Sequence, residues 1–186
     1  MILEYAPDGE VYRELKNMPN KKFDEAKASN YIKQAISAFV YLHNLDIIHR
    51  DLKPENLLNC FGKIKLADFG WSVHAPKNSA MRKTFCGTLD YVPPEMVQGE
   101  TYNFRTDNWS IGVLAYEFLA GKPPFEKRSR MDTLNSIMNC ELVFPDDMSP
   151  DAKDFIGKLL CVDPAKRMDL NKALEHVFIT KYRDGM

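Results

Sequence analysis

The chain of 186 residues carries 25 basic and 26 acidic side chains, and a net charge of −1 argues against general affinity for nucleic acid or acidic membranes. With 45% hydrophobic and 27% charged residues, it reads as one soluble domain able to bury roughly 70% of its unfolded surface. Four scattered cysteines (Cys60, Cys86, Cys140, Cys161) fit a reducing compartment better than a disulfide framework or zinc site, and neither a signal peptide nor a membrane span is legible.

Ile32, Ala35, Ile36, Phe39 and Val40 recur at i, i+3, i+4, i+7 and i+8. That periodicity predicts an amphipathic helix between Phe23 and Asn44, with Asp24 and Glu25 in its first turn. Leu57-Leu58 and Ile64-Lys65-Leu66 read as two short strands joined across Asn59 to Lys63, with Gly62 serving the turn. From Trp71 to Leu89 the chain is polar and aperiodic, which predicts a long mobile loop, closed by Pro93-Pro94-Glu95. Asp107 to Leu119 is apolar on nearly all sides, as a helix inside a core should be, and Gly121 and Pro123-Pro124 stop it. Further helices are expected at about Met131 to Asn139, Ser149 to Leu160 and Leu170 to Val177. The expected architecture is mainly α-helical with a small β-hairpin.

Between the first helix and the hairpin stands His49-Arg50-Asp51-Leu52-Lys53-Pro54-Glu55-Asn56, and Asp68-Phe69-Gly70 follows twelve residues after Asn56. Phosphoryl transfer asks a protein mainly for positioning and charge neutralisation, and these residue types supply both. Asp51 is placed to accept the proton of a substrate hydroxyl, and Lys53 to reach the transferring phosphate. Asn56 and Asp68 offer oxygen ligands suited to Mg²⁺. A lone Asp is more often a cap or turn carboxylate; four such groups in register are not. His49 is expected to anchor the loop rather than act as a base. Arg50, beside a loop containing Thr84, reads as a phosphate receptor. Thr84 follows two cations in Met81-Arg82-Lys83-Thr84-Phe85, as a phosphorylation site would. Cys86 is read as a small apolar filler, while His74 and His176 give no interpretable signal.

The chain resembles the Aurora family of serine/threonine protein kinases. The narrower likeness rests on Leu3-Glu4-Tyr5-Ala6-Pro7, on Asp68-Phe69-Gly70-Trp71-Ser72-Val73-His74-Ala75-Pro76, on Cys86 through Met96, and on Gly121-Lys122-Pro123-Pro124-Phe125-Glu126. The resemblance implies ATP and Mg²⁺ as cofactors and a truncated kinase fold, with residues 1–9 as hinge and 10–186 as the C-terminal lobe. It makes Leu3 the gatekeeper and Glu4, Tyr5 and Ala6 the adenine-binding hinge. Leu58 becomes the adenine floor, and Glu55 lies near the nucleotide with Asn56. Thr84 matches the activating phosphorylation site, and Thr88 the threonine that holds Asp51 and Lys53. Asp107 would brace the catalytic loop, and Glu95 would pair with Arg167. Implied partners are protein substrates with basic residues near Ser or Thr, and mitotic spindle or chromosomal proteins. Implied locations are nucleus and cytoplasm, at centrosome, spindle or centromere.

Asn108, where a hydrophobic residue is usual, and Val177-Phe178, in place of Pro-Trp, depart from the family habit. The 186 residues hold no G-x-G-x-x-G, no Val-Ala-x-Lys strand and no helix glutamate to pair with such a lysine. The expectation is therefore weak or no phosphorylation by these residues alone, with a non-catalytic partner-binding module as the alternative.

Overall fold

The computed structural model describes residues 3–75, 84 and 86–182. In chain order these form β1 (Gly9–Glu10), α1 (Val11–Asn17), α2 (Glu25–Asn44), β2 (Ile47–Ile48), β3 (Leu57–Cys60), β4 (Lys63–Leu66) and β5 (Val73–His74). Then come α3 (Pro94–Val97), α4 (Arg105–Ala120), α5 (Arg130–Met138), α6 (Pro150–Leu159), α7 (Leu170–Glu175) and α8 (Val177–Thr180). The mainly helical architecture with a small β-hairpin is the one the periodicities predict.

Helix α4 is the axis of the fold. Every residue from Thr106 to Leu119 is buried, because α2 covers one side of the helix and α6 another. Trp109 stacks on Phe125 with ring centroids 5.3 Å apart, and Phe23, Tyr31 and Phe118 meet edge to face. Each fully buried large side chain of this kind contributes roughly 1.5–3 kcal/mol. Gly121 ends α4 in the left-handed region, φ 81°, where a Cβ would lie 2.8 Å from the Asn20 carbonyl oxygen. Only glycine fits there.

The helix starts are set by short polar caps. Asp24 stands just outside α2 rather than within its first turn, its carboxylate accepting the Lys27 amide at 2.8 Å. Ser149 caps α6 in the same way, with Pro150 at the first helical position. The helix expected from Leu170 to Val177 is two helices. His176 is extended between them, and its Nδ1 accepts the Phe178 amide at 3.2 Å, so it closes α7 and caps α8. Its Nε2 lies 2.8 Å from an Asp154 carboxylate oxygen. Asn108 donates Nδ2 to the Met168 carbonyl at 2.9 Å, and its buried Oδ1 has no partner among the described residues.

The hairpin gains a third strand. β1 pairs antiparallel with β3 (Gly9 opposite Asn59, Glu10 opposite Leu58), and β3 with β4 (Leu57 opposite Leu66). A second ribbon pairs β2 with β5, so β5 opens the stretch predicted as loop from Trp71. Two-residue strands are too short to show alternation in a sequence. Residues 76–83 and 85 lie outside the described residues, and with them Pro76, Met81, Arg82, Lys83 and Phe85. No helix among the described residues is long and apolar enough to cross a membrane.

Candidate active site

The loop from His49 to Asn56 leaves β2 and enters β3, and its shape is imposed from below by α4. Asp107, wholly buried in the first turn of that helix, accepts the backbone N–H of His49 at 3.1 Å and of Arg50 at 3.0 Å, one on each carboxylate oxygen. His43, from the last turn of α2, places Nε2 2.8 Å from the same carboxylate. Arg50 is held at φ 70°, a conformation costing an L-residue roughly 1–2 kcal/mol. Two hydrogen bonds to a charged acceptor offset that strain.

His49 is fully buried between the Phe39 and Phe69 rings. Its Nδ1 accepts the Asp51 amide at 3.3 Å, so the ring proton sits on Nε2, which faces the Ala67 carbonyl at 3.2 Å. With both nitrogens committed, His49 ties the loop to the segment before Asp68.

Above this base four predicted residues converge. Lys53 Nζ donates to Asp51 Oδ2 at 2.9 Å and to Thr88 Oγ1 at 3.1 Å, and Thr88 Oγ1 donates to Asp51 Oδ1 at 3.1 Å. Asn56 Nδ2 donates to the Asp51 carbonyl at 2.8 Å and to Asp51 Oδ2 at 3.1 Å. A carboxylate held on both oxygens is oriented, the condition for receiving a proton at a fixed point. Because Asn56 spends its amide nitrogen on Asp51, its Oδ1 is the atom left for a cation. Asp68 is exposed, at φ 57°, with Oδ1 accepting the Gly70 amide at 3.1 Å. The Ala67 amide donates to the Asn56 carbonyl at 2.8 Å, which sets Asp68 beside Asn56. Two hard oxygen donors fit Mg²⁺, which takes few protein ligands and completes its shell with water and phosphate.

The predicted nucleotide edge lies along the small sheet. Glu10 stands opposite Leu58, and Glu4 reaches Lys65 on β4 at 3.2 Å, so the segment carrying Glu4, Tyr5 and Ala6 runs beside Leu58. Leu3 and Tyr5 are exposed. Glu55 is exposed and close enough to act electrostatically on Glu117, one of a set of carboxylates that the sequence reading missed. Burial raises the carboxyl of Glu117 above its ordinary range, and Glu55 and Asp90 raise it further against the pull of the Tyr91 hydroxyl and Lys16. Burial, then Glu126, raises Asp90 as well. The signal for Glu117 was present in the sequence: a lone charge within the apolar run from Ile111 to Ala120.

The segment carrying Thr84 and Thr88 is fastened at three points. Gly87 crosses the Arg50 carbonyl so closely, at φ 93°, that a Cβ would sit 2.6 Å from that oxygen. Arg50 donates Nε to the Trp71 carbonyl at 2.7 Å and Nη1 to the Tyr102 hydroxyl at 2.6 Å. Glu95 and Arg167 are both buried and joined by two hydrogen bonds, locking α3 to the turn before Arg167. Cys86 is buried, which raises its thiol and suits the filler reading. His43 and Tyr102 were not foreseen, since nothing in their spacing marks them.

A family model described as "Protein kinase domain" matches residues 1–179. The chain is 49% identical to "Aurora/IPL1-related protein kinase 2" of Caenorhabditis briggsae, over all of this chain and 60% of that protein. It is 51% identical to "Aurora kinase" of Schizosaccharomyces pombe over its whole length and 52% of that protein. It is 48% identical to "Aurora kinase B" of Danio rerio over 96% of this chain and 55% of that protein. The chain thus spans about half the length of the curated relatives it matches. It belongs to the protein kinase family, and within it to the Aurora serine/threonine kinases.

Proposed function

We propose that this chain carries the large-lobe half of an Aurora-type serine/threonine kinase site, transferring the γ-phosphate of ATP to a protein hydroxyl. The observation that carries the reading is the closed set Lys53–Asp51–Thr88–Asn56. Asp51 accepts the hydroxyl proton as the oxygen attacks, and Lys53 screens the charge on the transferring phosphoryl group. Asn56 Oδ1 and Asp68 would hold Mg²⁺, which when bound neutralises charge on the phosphates. In this reading residues 1–9 form the hinge, with Glu4, Tyr5, Ala6 and Leu58 along adenine, and residues 10–186 form the lobe. Thr84 is the regulatory phosphorylation site.

The carboxylates Glu55, Asp90 and Glu117 support substrates with basic residues near the acceptor Ser or Thr. A buried carboxyl gains most from a cation that pairs with it. Mitotic spindle or chromosomal partners, and work at centrosome, spindle or centromere, follow from the Aurora relationship.

The motifs that clamp the other face of ATP are not among the 186 residues. Two assays with labelled ATP, Mg²⁺ and a basic Ser/Thr peptide test the proposal. These residues alone should stay at background. Fused to the glycine-rich loop and lysine strand of an Aurora relative, they should transfer phosphate, and Asp51→Asn should lower that rate by roughly 10²–10⁴-fold. An inactive but folded fusion would sink the catalytic reading, and Asp51-dependent turnover by the chain alone would remove its need for a second wall.

A second reading, a partner-binding module without catalysis, is favoured by the exposed side chains of Leu3, Tyr5, Phe61, Phe69 and Trp71. It requires capture of a full-length Aurora kinase or its substrates above background.

A further inference from the structure

Arg50 reads from sequence as a receptor for phosphate on Thr84, yet its guanidinium already has partners in the unmodified chain. Nη1 donates to the Tyr102 hydroxyl at 2.6 Å, and that hydroxyl donates to the Thr84 carbonyl at 3.1 Å. Nε donates to the Trp71 carbonyl at 2.7 Å. Tyr102 is 4% exposed and lies just before α4, eighteen residues beyond Thr84. One tyrosine oxygen therefore receives a charged donor from the catalytic loop and gives its own proton to the backbone of the residue that would carry the phosphate.

We propose that Tyr102 is a positioning residue: a phosphate-independent clasp that fastens the segment around Thr84 to Arg50, and through it to the catalytic loop. The role deepens the kinase reading and rests on it, since the groups positioned are Asp51 and Thr88.

The chemistry suits the task. A phenol can receive and donate at once, whereas phenylalanine of the same shape can do neither. Burial raises the Tyr102 hydroxyl above its ordinary pKa, so it keeps the proton that reaches Thr84. The Arg50 backbone cannot drift, because Asp107 holds its amide and Gly87 presses on its carbonyl. The side chain is thus a short strut from a fixed point. It touches both flanks of the segment, Trp71 just after Asp68-Phe69-Gly70 and, through Tyr102, Thr84. A filler tyrosine would need a single partner for its hydroxyl; this one bridges the Arg50 guanidinium and the Thr84 backbone.

The test is side-chain and amide hydrogen exchange by NMR on the unphosphorylated 186-residue protein. Tyr102→Phe should speed exchange of the Arg50 Nε–H and of the Tyr91 amide, which donates to the Thr88 carbonyl, roughly tenfold, the loss of one charge-assisted bond. Amides of α4 should be unchanged. In an Arg50→Lys background, adding Tyr102→Phe should do nothing more, because the strut is already gone. Unchanged exchange in Tyr102→Phe overturns the proposal, as does acceleration spread evenly through α4, which would mark a packing role. Additive effects in the double variant overturn it too. None of these readouts needs phosphate transfer, so a failed clasp and a failed kinase reading are told apart.

Discussion

Glu95 and Arg167 are joined by two parallel hydrogen bonds, 2.7 and 2.6 Å, although both side chains are shut away from solvent. Arg167 also donates to the carbonyls of Cys161 and Arg105, and its guanidinium lies over the Trp109 ring. With Nη2 also donating to the Val162 carbonyl at 3.3 Å, every donor direction of the planar fork is used, which compensates the cost of burying the charge. Arg167→Ala would leave Glu95 as an unpaired buried carboxylate and should cost about 3–5 kcal/mol in urea unfolding. Arg167→Lys should recover little of this, because an ammonium cannot reproduce the fork. A loss below about 1 kcal/mol in either variant would contradict the pairing.

The second brace, Asp107, predicts a local effect. Asp107→Asn keeps the size but replaces one acceptor oxygen with a donor, so either the His49 or the Arg50 amide loses its partner. His43 faces the same change. The expected cost is about 2 kcal/mol, with exchange of the two loop amides rising more than that of α2 or α6. Uniform loss of protection would mean that Asp107 serves the core rather than the loop.

These two braces mark how far the sequence was legible. The octapeptide at His49 and the Asp68 turn could be read because their chemistry is local: a few residues in fixed order carry the whole constellation. Thr88, Asp107, Glu95 and Arg167 became legible only through family resemblance, and the geometry brings each to the partner the likeness implied. His43 and Tyr102 were illegible, since each acts across 64 and 52 residues respectively through a contact without periodic trace. The break of the last helix at His176 was missed for a different reason. A histidine that caps with its ring nitrogen leaves the apolar pattern of Leu170, Ala173 and Val177 intact.

Gly87 offers a test of how the segment with Thr88 is seated. Alanine there would carry both a left-handed backbone and a Cβ 2.6 Å from the Arg50 oxygen, a contact that cannot stand. The strain falls on the half-buried stretch at Gly87 and Thr88, which should lift rather than unfold the domain. Gly87→Ala is therefore expected to change urea stability by less than about 2 kcal/mol. It should nonetheless release Thr88 Oγ1 from Asp51 and Lys53, visible as a changed Lys53 Nζ signal by NMR and reduced transfer in the fusion. An unchanged Lys53 environment would show that the contact relaxes elsewhere.

Glu117 gives a prediction in pH. Burial is the main cause of its raised pKa, with Glu55 and Asp90 adding to it, while Tyr91 and Lys16 pull the other way. The fold thus favours the protonated acid. A group raised in the folded state contributes stability that is fully present below its unfolded pKa, about 4.3, and is lost as pH rises through the folded value. Glu117→Gln keeps an acceptor for the Tyr91 hydroxyl and removes the titration. From acid toward neutral pH, the wild-type chain should therefore lose stability relative to Glu117→Gln, by up to about 1.4 kcal/mol per pH unit within that window. On the proposed reading that basic peptides pair with Glu117, saturating peptide should supply the missing counter-charge and shrink the difference between the two proteins. Parallel stability curves for the two proteins would remove the electrostatic argument for a cation-binding site at Glu117.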